Sequence, residues 1–168
     1  KKWDGRIGWA PGNSSFQFMI NAMTEMWGED KTSDWIIGIH ANNPAVLPNN
    51  TSILAAVGSG EIDVGFTNHY YLFRFLNEEG ESFRAANYHP RSGGPGSLIM
   101  VTSGGILENS SNISKATQFI KFLTSTTAQE FFANNNFEYP LIEGISTHKR
   151  LIPLDDIKHP NINQESIA

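Results

Sequence analysis

The sequence predicts an α/β domain, on three observations. Short apolar runs that stop at Gly, Pro or Asn alternate with segments whose apolar residues recur at three- and four-residue spacing. The run Glu61–Phe66 (EIDVGF) alternates polar and apolar residues directly ahead of a helical pattern. No segment repeats another, which leaves strands alternating with helices around one sheet.

Taken in order, Gly5–Ala10 (GRIGWA) reads as a strand stopped by Pro11-Gly12. Asn13, Ser14 and Ser15 offer N-caps to a helix over about Phe16–Trp27, with Phe16, Ile20, Met23 and Trp27 on one face and Gly28 as its end. A second helix is expected over about Thr32–Ile39, with Trp35, Ile36 and Ile39 inward. Asn42–Asn50 is loop, after which Asn50 or Thr51 caps a short helix through Ile53, Leu54 and Val57 that stops at Gly58–Gly60. Glu61–Phe66 is expected as an internal strand of a compact layer covering residues 1 to about 93, with Ile62, Val64 and Phe66 on one face. Tyr70–Asn77 follows as a helix closed by Gly80, and Phe83–Tyr88 as a further strand. The Gly93-Gly94-Pro95-Gly96 run precedes a strand over Ser97–Val101. Helices over about Ile113–Thr124 and Thr126–Asn134 join near Ser125, and periodicity fades beyond Pro140.

Length and composition bound the function. At 168 residues the chain suits one domain of about 100–200 residues. Its net charge is −5, from 12 basic and 17 acidic residues without a Lys/Arg cluster, which argues against nucleic acid as partner and against a polybasic membrane anchor. With no cysteine, disulfides and thiolate zinc sites are excluded. Lys1-Lys2-Trp3-Asp4 is not a signal peptide and reads as the middle of a longer chain.

Three segments carry chemistry. Asn13, Ser14 and Ser15 place hydroxyls and backbone N–H groups at a helix start, which serves either simple capping or the binding of an anion. Thr67-Asn68-His69-Tyr70-Tyr71 follows a strand and opens a helix, at the strand end where open α/β sheets collect ligands. Adjacent tyrosines there either pack on the sheet or present two phenol oxygens, hard donors that suit a hard trivalent cation once deprotonated. Asn50 is a third polar group beside a strand end, again a cap or a ligand. The five histidines form no HxxxH or HExxH pair, no phosphate-binding loop follows Gly12, and Ser14 lacks a GxSxG context. No nucleophile, base and orienting group stand together, so a hydrolase or transferase using Tyr70 or His69 is a distant alternative and the chain is read as a binding protein, not an enzyme.

The order of GRIGWAPGNSSF, NNTSILAAVGSGEIDVGFTNHYYLFRF, NYHPRSGGPGSLIMVTSGGIL, SKATQFIKFLTSTTAQEFFA and FEYPL over about residues 3–155 resembles the iron(III)-binding proteins of bacterial and archaeal ABC transporters. The resemblance implies one α/β lobe, over 1–168, of a two-lobed class II periplasmic-binding-protein fold whose lobes close on ligand. It implies Fe³⁺ ligation by Tyr70 and Tyr71, with a synergistic phosphate or carbonate held at Asn13, Ser14 and Ser15 and supported by Asn50 and Asn68. His69 stands where a neutral amide is often found, as a ligand or a neighbour of the pair, and the Gly12–Ser15 loop departs from the common pattern, which leaves the anion's identity open. Partners implied are a membrane permease and a first lobe absent from this sequence, in an extracytoplasmic setting: the periplasm, or the cell surface with lipid or membrane association where no outer membrane exists. The sub-segment 97–137 is expected to supply a hinge strand and helices that pack on that first lobe, with the chain returning at Glu138–Leu141. Without it, Phe119, Phe122, Leu123, Phe131 and Phe132 lack cover, the chain self-associates, and it binds metal weakly or not at all. The alternative within the binding class is a lobe for another oxyanion or small solute, without metal.

Overall fold

A computed structural model describes residues 2–162. The described residues divide into two compact units, one holding 2–98 together with 158–162, the other Ile99–Ile157.

The first unit is built on a three-stranded parallel sheet in the order β2-β1-β3. Strand β1 (Ile7–Trp9) is central and buried along its length. It pairs with β2 (Ala45–Val46) through Gly8 opposite Ala45, and with β3 (Val64–Gly65) through Gly8 opposite Gly65. Helix α1 (Ser14–Trp27) is capped by Asn13, as the sequence offers, and α2 (Glu29–His40) follows directly at Gly28. The second helix begins earlier than expected because Glu29 and Asp30 occupy its first turn, where the helix dipole favours carboxylates. Helix α3 (Asn50–Ser59) ends at Gly60, whose φ of 81° needs no Cβ penalty, and α4 (Tyr70–Glu79) ends at Gly80. Ala10, Ile53, Ala56 and Ile62 form the buried cluster between sheet and α3. A Cβ on Gly65 would collide with the buried side chain of Ile53, so α3 crosses the sheet at a distance only glycine permits.

Strand β2 lies within Asn42–Asn50, expected as loop, because its backbone pairs with β1, and three expected strands differ as well. The strand expected over Glu61–Phe66 is shorter and, among the described residues, lies at the sheet edge. Glu61 and Ile62 donate their N–H groups to Ala56 O at the end of α3, so pairing with β1 starts only where Asp63 N–H reaches Arg6 O. Ile62 is therefore buried while Val64, on the edge, is 37% exposed. Phe83–Tyr88 forms no strand. The Phe83 ring instead stacks on Phe75 at 4.8 Å, and Asn87 turns its side chain onto the backbone of residue 69. Ser97–Val101 is not a strand either, because Pro95–Ser97 closes into a 3₁₀ turn and the Ser97 hydroxyl donates to Pro90 O at 2.7 Å.

The second unit begins within the 97–137 sub-segment and runs past the expected return at 138–141 to Ile157. Helices α5 (Ile113–Leu123) and α6 (Thr126–Asn135) meet at Ser125, which caps α6 by accepting from Ala128 N–H. The buried Gln129 ties the unit together, donating to Leu123 O at 2.9 Å and accepting from Leu141 N–H at 2.8 Å. Phe119, Phe122 and Phe131 are each more than half exposed. Leu123 and Phe132 are half-buried.

Candidate metal centre

All three strands of the sheet run parallel, and each leads into a helix: β1 into α1, β2 into α3, β3 into α4. The starts of α1, α3 and α4 therefore lie along the carboxyl edge of one sheet. This edge is where open parallel sheets accept ligands, and helix starts bring partial positive charge to it. Asn13–Ser15, Asn50, and Asn68 with Tyr70 and Tyr71 stand at those three turns.

An aromatic train fixes the turns against each other. Trp9, at the end of β1, meets Phe16 edge-on at 5.8 Å, and Phe16 meets Phe66 at 5.9 Å. Phe16 lies two residues beyond Ser14 and Phe66 two residues before Asn68, so the start of α1 is held beside the turn that opens α4. Trp35 of α2 packs on the same Phe66 at 5.4 Å.

At the α3 turn the cap is Asn49, not Asn50 or Thr51 as expected. Asn49 Oδ1 accepts from Ser52 N–H at 2.9 Å, satisfying the orphan donor that an N-cap normally serves. Asn50 is thus the first helical residue, and its side chain is released from capping. It is 3% exposed, and its Nδ2 donates to Asn68 Oδ1 at 2.7 Å. The two asparagines that the resemblance groups together are in direct contact.

Tyr70 and Tyr71 are the first two residues of α4 and both are half-buried. Their rings lie 4.8 Å apart between centroids, tilted by 37°. The ring of His69 meets Tyr70 edge-on at 5.3 Å, a neighbour of the pair. His69 is the N-cap of α4, has helical backbone angles, and makes no side-chain cap bond. Its carbonyl oxygen accepts from Asn87 Nδ2 at 2.8 Å.

At the start of α1, Asn13 Oδ1 accepts from Ser15 N–H at 2.9 Å and from Phe16 N–H at 3.4 Å. The capping carboxamide thus occupies two first-turn donors that an anion would use. The Ser14 side chain is exposed and Ser15 half-buried. Among the described residues, no three His, Cys, Asp or Glu side chains group as a metal site.

Sequence reasoning missed two features of this edge. Asn87 carries no pattern signal, since its segment reads as a strand. The Asn49 cap is signalled by its own spacing, with Ser52 three residues on, and is obscured by the neighbouring Asn50.

Comparison with known proteins adds an independent line. A family model of bacterial extracellular solute-binding proteins matches residues 1–152. The Fe(3+)-binding periplasmic protein of Serratia marcescens is 32% identical over 164 residues, covering 96% of this chain and 48% of the relative. Iron uptake protein A1 of Synechocystis is 32% identical over 175 residues, covering 99% of this chain and 48% of the relative. Among solved structures, iron-bound HitA from Pseudomonas aeruginosa aligns with a TM-score of 0.92 at 26% identity, over 99% of this chain and 54% of HitA. The Trichodesmium protein IdiA (FutA), in complex with iron and citrate, aligns with a TM-score of 0.81 at 27% identity, over 99% of this chain and 55% of its own. The chain spans about half the length of the curated relatives it matches.

Proposed function

This chain belongs to the bacterial extracellular solute-binding proteins, and from that premise we propose that it is the lobe of a ferric-ion-binding protein that supplies two phenolate ligands, Tyr70 and Tyr71. Its fold is the α/β class II periplasmic-binding-protein type. The observation that carries the proposal is the adjacent tyrosine pair at the start of α4, on the carboxyl edge of the parallel sheet.

A free phenol loses its proton near pH 10, so ligation at neutral pH requires a strong Lewis acid to displace that proton. Ferric ion is such an acid, and negative charge on the two oxygens is favoured at a helix start. Two phenolates leave the ion with a net positive charge. A phosphate or carbonate at the start of α1 would offset it, taking Ser15 N–H in exchange for the Asn13 carboxamide, with the Asn50–Asn68 pair beside it. His69 acts as a neighbour that packs on Tyr70.

The protein works outside the cytoplasm and delivers iron to a membrane permease, a reading supported by relatives described as periplasmic iron-binding or iron-uptake proteins. The remaining coordination positions and the closing lobe come from sequence outside this chain. The exposed Phe119, Phe122 and Phe131 support packing of 97–137 on that lobe, and self-association of the chain when it is alone. Alone, it holds iron more weakly than the complete site.

Titration of the complete two-lobed protein with ferric nitrilotriacetate at neutral pH tests the assignment. A visible phenolate-to-iron charge-transfer band is expected, and replacing both residues (Tyr70→Phe with Tyr71→Phe) abolishes it while the urea midpoint stays the same, since phenylalanine keeps the packing and removes only oxygen. A band and affinity that survive in the double variant refute the assignment. Phosphate binding without any band in the parent protein favours a metal-free anion lobe instead.

A further inference from the structure

The segment after α4 is fastened to that helix at two points. Phe83 stacks on Phe75, 4.8 Å between centroids and only 11° from parallel, with its ring over Gly58 of α3, where a Cβ would collide with it. Four residues on, Asn87 Nδ2 donates to His69 O at 2.8 Å. From Phe75 back to residue 69 is about 9 Å along a helix, and four residues of extended chain cover at most about 14 Å, so the segment 83–87 reaches both points as a strap lying along α4.

The upper fastening sits where α4 lacks an ordinary cap. His69 gives no side-chain cap bond, and its peptide leads directly into Tyr70. From this arrangement we infer that Asn87 is a positioning residue for the tyrosine pair: its carboxamide holds the peptide ahead of Tyr70 and thereby sets the direction of the Tyr70 and Tyr71 side chains. In the same turn, Asn50 holds Asn68. The two bonds grip successive residues, 68 and 69, from two different parts of the chain, α3 and the strap. The alignment matters because bound geometry tolerates little error: a ligand displaced by about 1 Å loses much of its contribution. The functional consequence rests on the ferric-ion reading above; the positional claim does not.

The chain has four tyrosines, at 70, 71, 88 and 139. Fluorotyrosine labelling therefore gives four ¹⁹F resonances, assigned by single Tyr→Phe replacements. In Asn87→Ala, and in Asn87→Asp, which keeps the size but cannot donate, the signals of Tyr70 and Tyr71 move and broaden while Tyr139, in the second unit, stays in place. In the complete two-lobed protein with ferric nitrilotriacetate, both variants keep the charge-transfer band at a shifted wavelength, with binding weakened about three- to tenfold, the range expected for one hydrogen bond. Unchanged Tyr70 and Tyr71 signals in either folded variant, or a Tyr139 signal that moves as far as theirs, overturns the inference. If the unsubstituted complete protein gives no band while the two resonances of this chain respond as stated, the ferric reading fails and the positioning role stands.

Discussion

Asn50→Ala isolates one bond at the candidate site. Asn49 remains to cap α3, so the helix start is preserved, and what is lost is the 2.7 Å donation from a 3%-exposed side chain to Asn68 Oδ1. A neutral hydrogen bond contributes about 1 kcal/mol net, and emptying the buried space of the Asn50 carboxamide costs about 1 kcal/mol more. The expected loss is about 2 kcal/mol, which for a chain of this size corresponds to roughly 4–8 °C in Tm. All four tryptophans, Trp3, Trp9, Trp27 and Trp35, lie in the first unit, so their fluorescence during urea unfolding reports that unit alone. The cycle Asn50→Ala, Asn68→Ala and the double variant should give a coupling of about 1 kcal/mol. A coupling under about 0.3 kcal/mol, within ordinary additivity, would mean the two asparagines meet without holding each other, and that the α4 turn is gripped by Asn87 alone.

Two further outcomes are expected. Gly65→Ala should destabilise the first unit by about 1–3 kcal/mol in the same fluorescence assay, the range for overpacking, because its Cβ collides with Ile53; a neutral result would mean α3 can shift off the sheet. Burial lowers the pKa of His89 below the ordinary 6.5 by disfavouring imidazolium. The unfolded chain then binds the proton more readily than the folded one, so stability is full above about pH 6.5, falls as pH drops through that value, and levels off below the folded pKa. Urea midpoints measured from pH 8 to pH 5 should show that decline, and His89→Asn should reduce it.

Helices were legible in the sequence where an apolar face coincided with a stop signal. Gly28, Gly60 and Gly80 end α1, α3 and α4, and Ser125 separates α5 from α6. Strands were less legible, because β2 and β3 are two residues long and owe their existence to β1, not to local alternation. The alternation in EIDVGF was real but divided between two tasks: Glu61 and Ile62 finish α3, and pairing with β1 begins at Asp63. Phe83–Tyr88 has strand-like composition, yet its ring and amide contacts go to helices. The candidate site was legible as residue types in order, from Asn13–Ser15 through Asn50 to Tyr70-Tyr71. Which asparagine caps and which faces the turn depended on a one-residue offset at Asn49-Asn50 that propensity cannot resolve, since both residues are equally good caps.

The topology explains why tyrosines suit this edge. A parallel sheet whose strands all lead into helices turns three helix starts toward one edge, and each carries partial positive charge. Such an edge repels a bare trivalent cation and attracts anions. Iron would bind there only if its ligands arrive as anions, and among the donors at the three turns only the phenols of Tyr70 and Tyr71 can become anionic. Neutral amides such as Asn50 and Asn68 can orient a ligand but cannot neutralise the ion. On the proposed reading, ferric ion and its companion anion therefore depend on each other: the two phenols are neutral without iron, iron held by two phenolates presents a net positive charge to the anion, and the anion offsets that charge in turn. Linkage makes the two effects equal, so whatever factor the anion adds to iron affinity, iron adds to anion affinity.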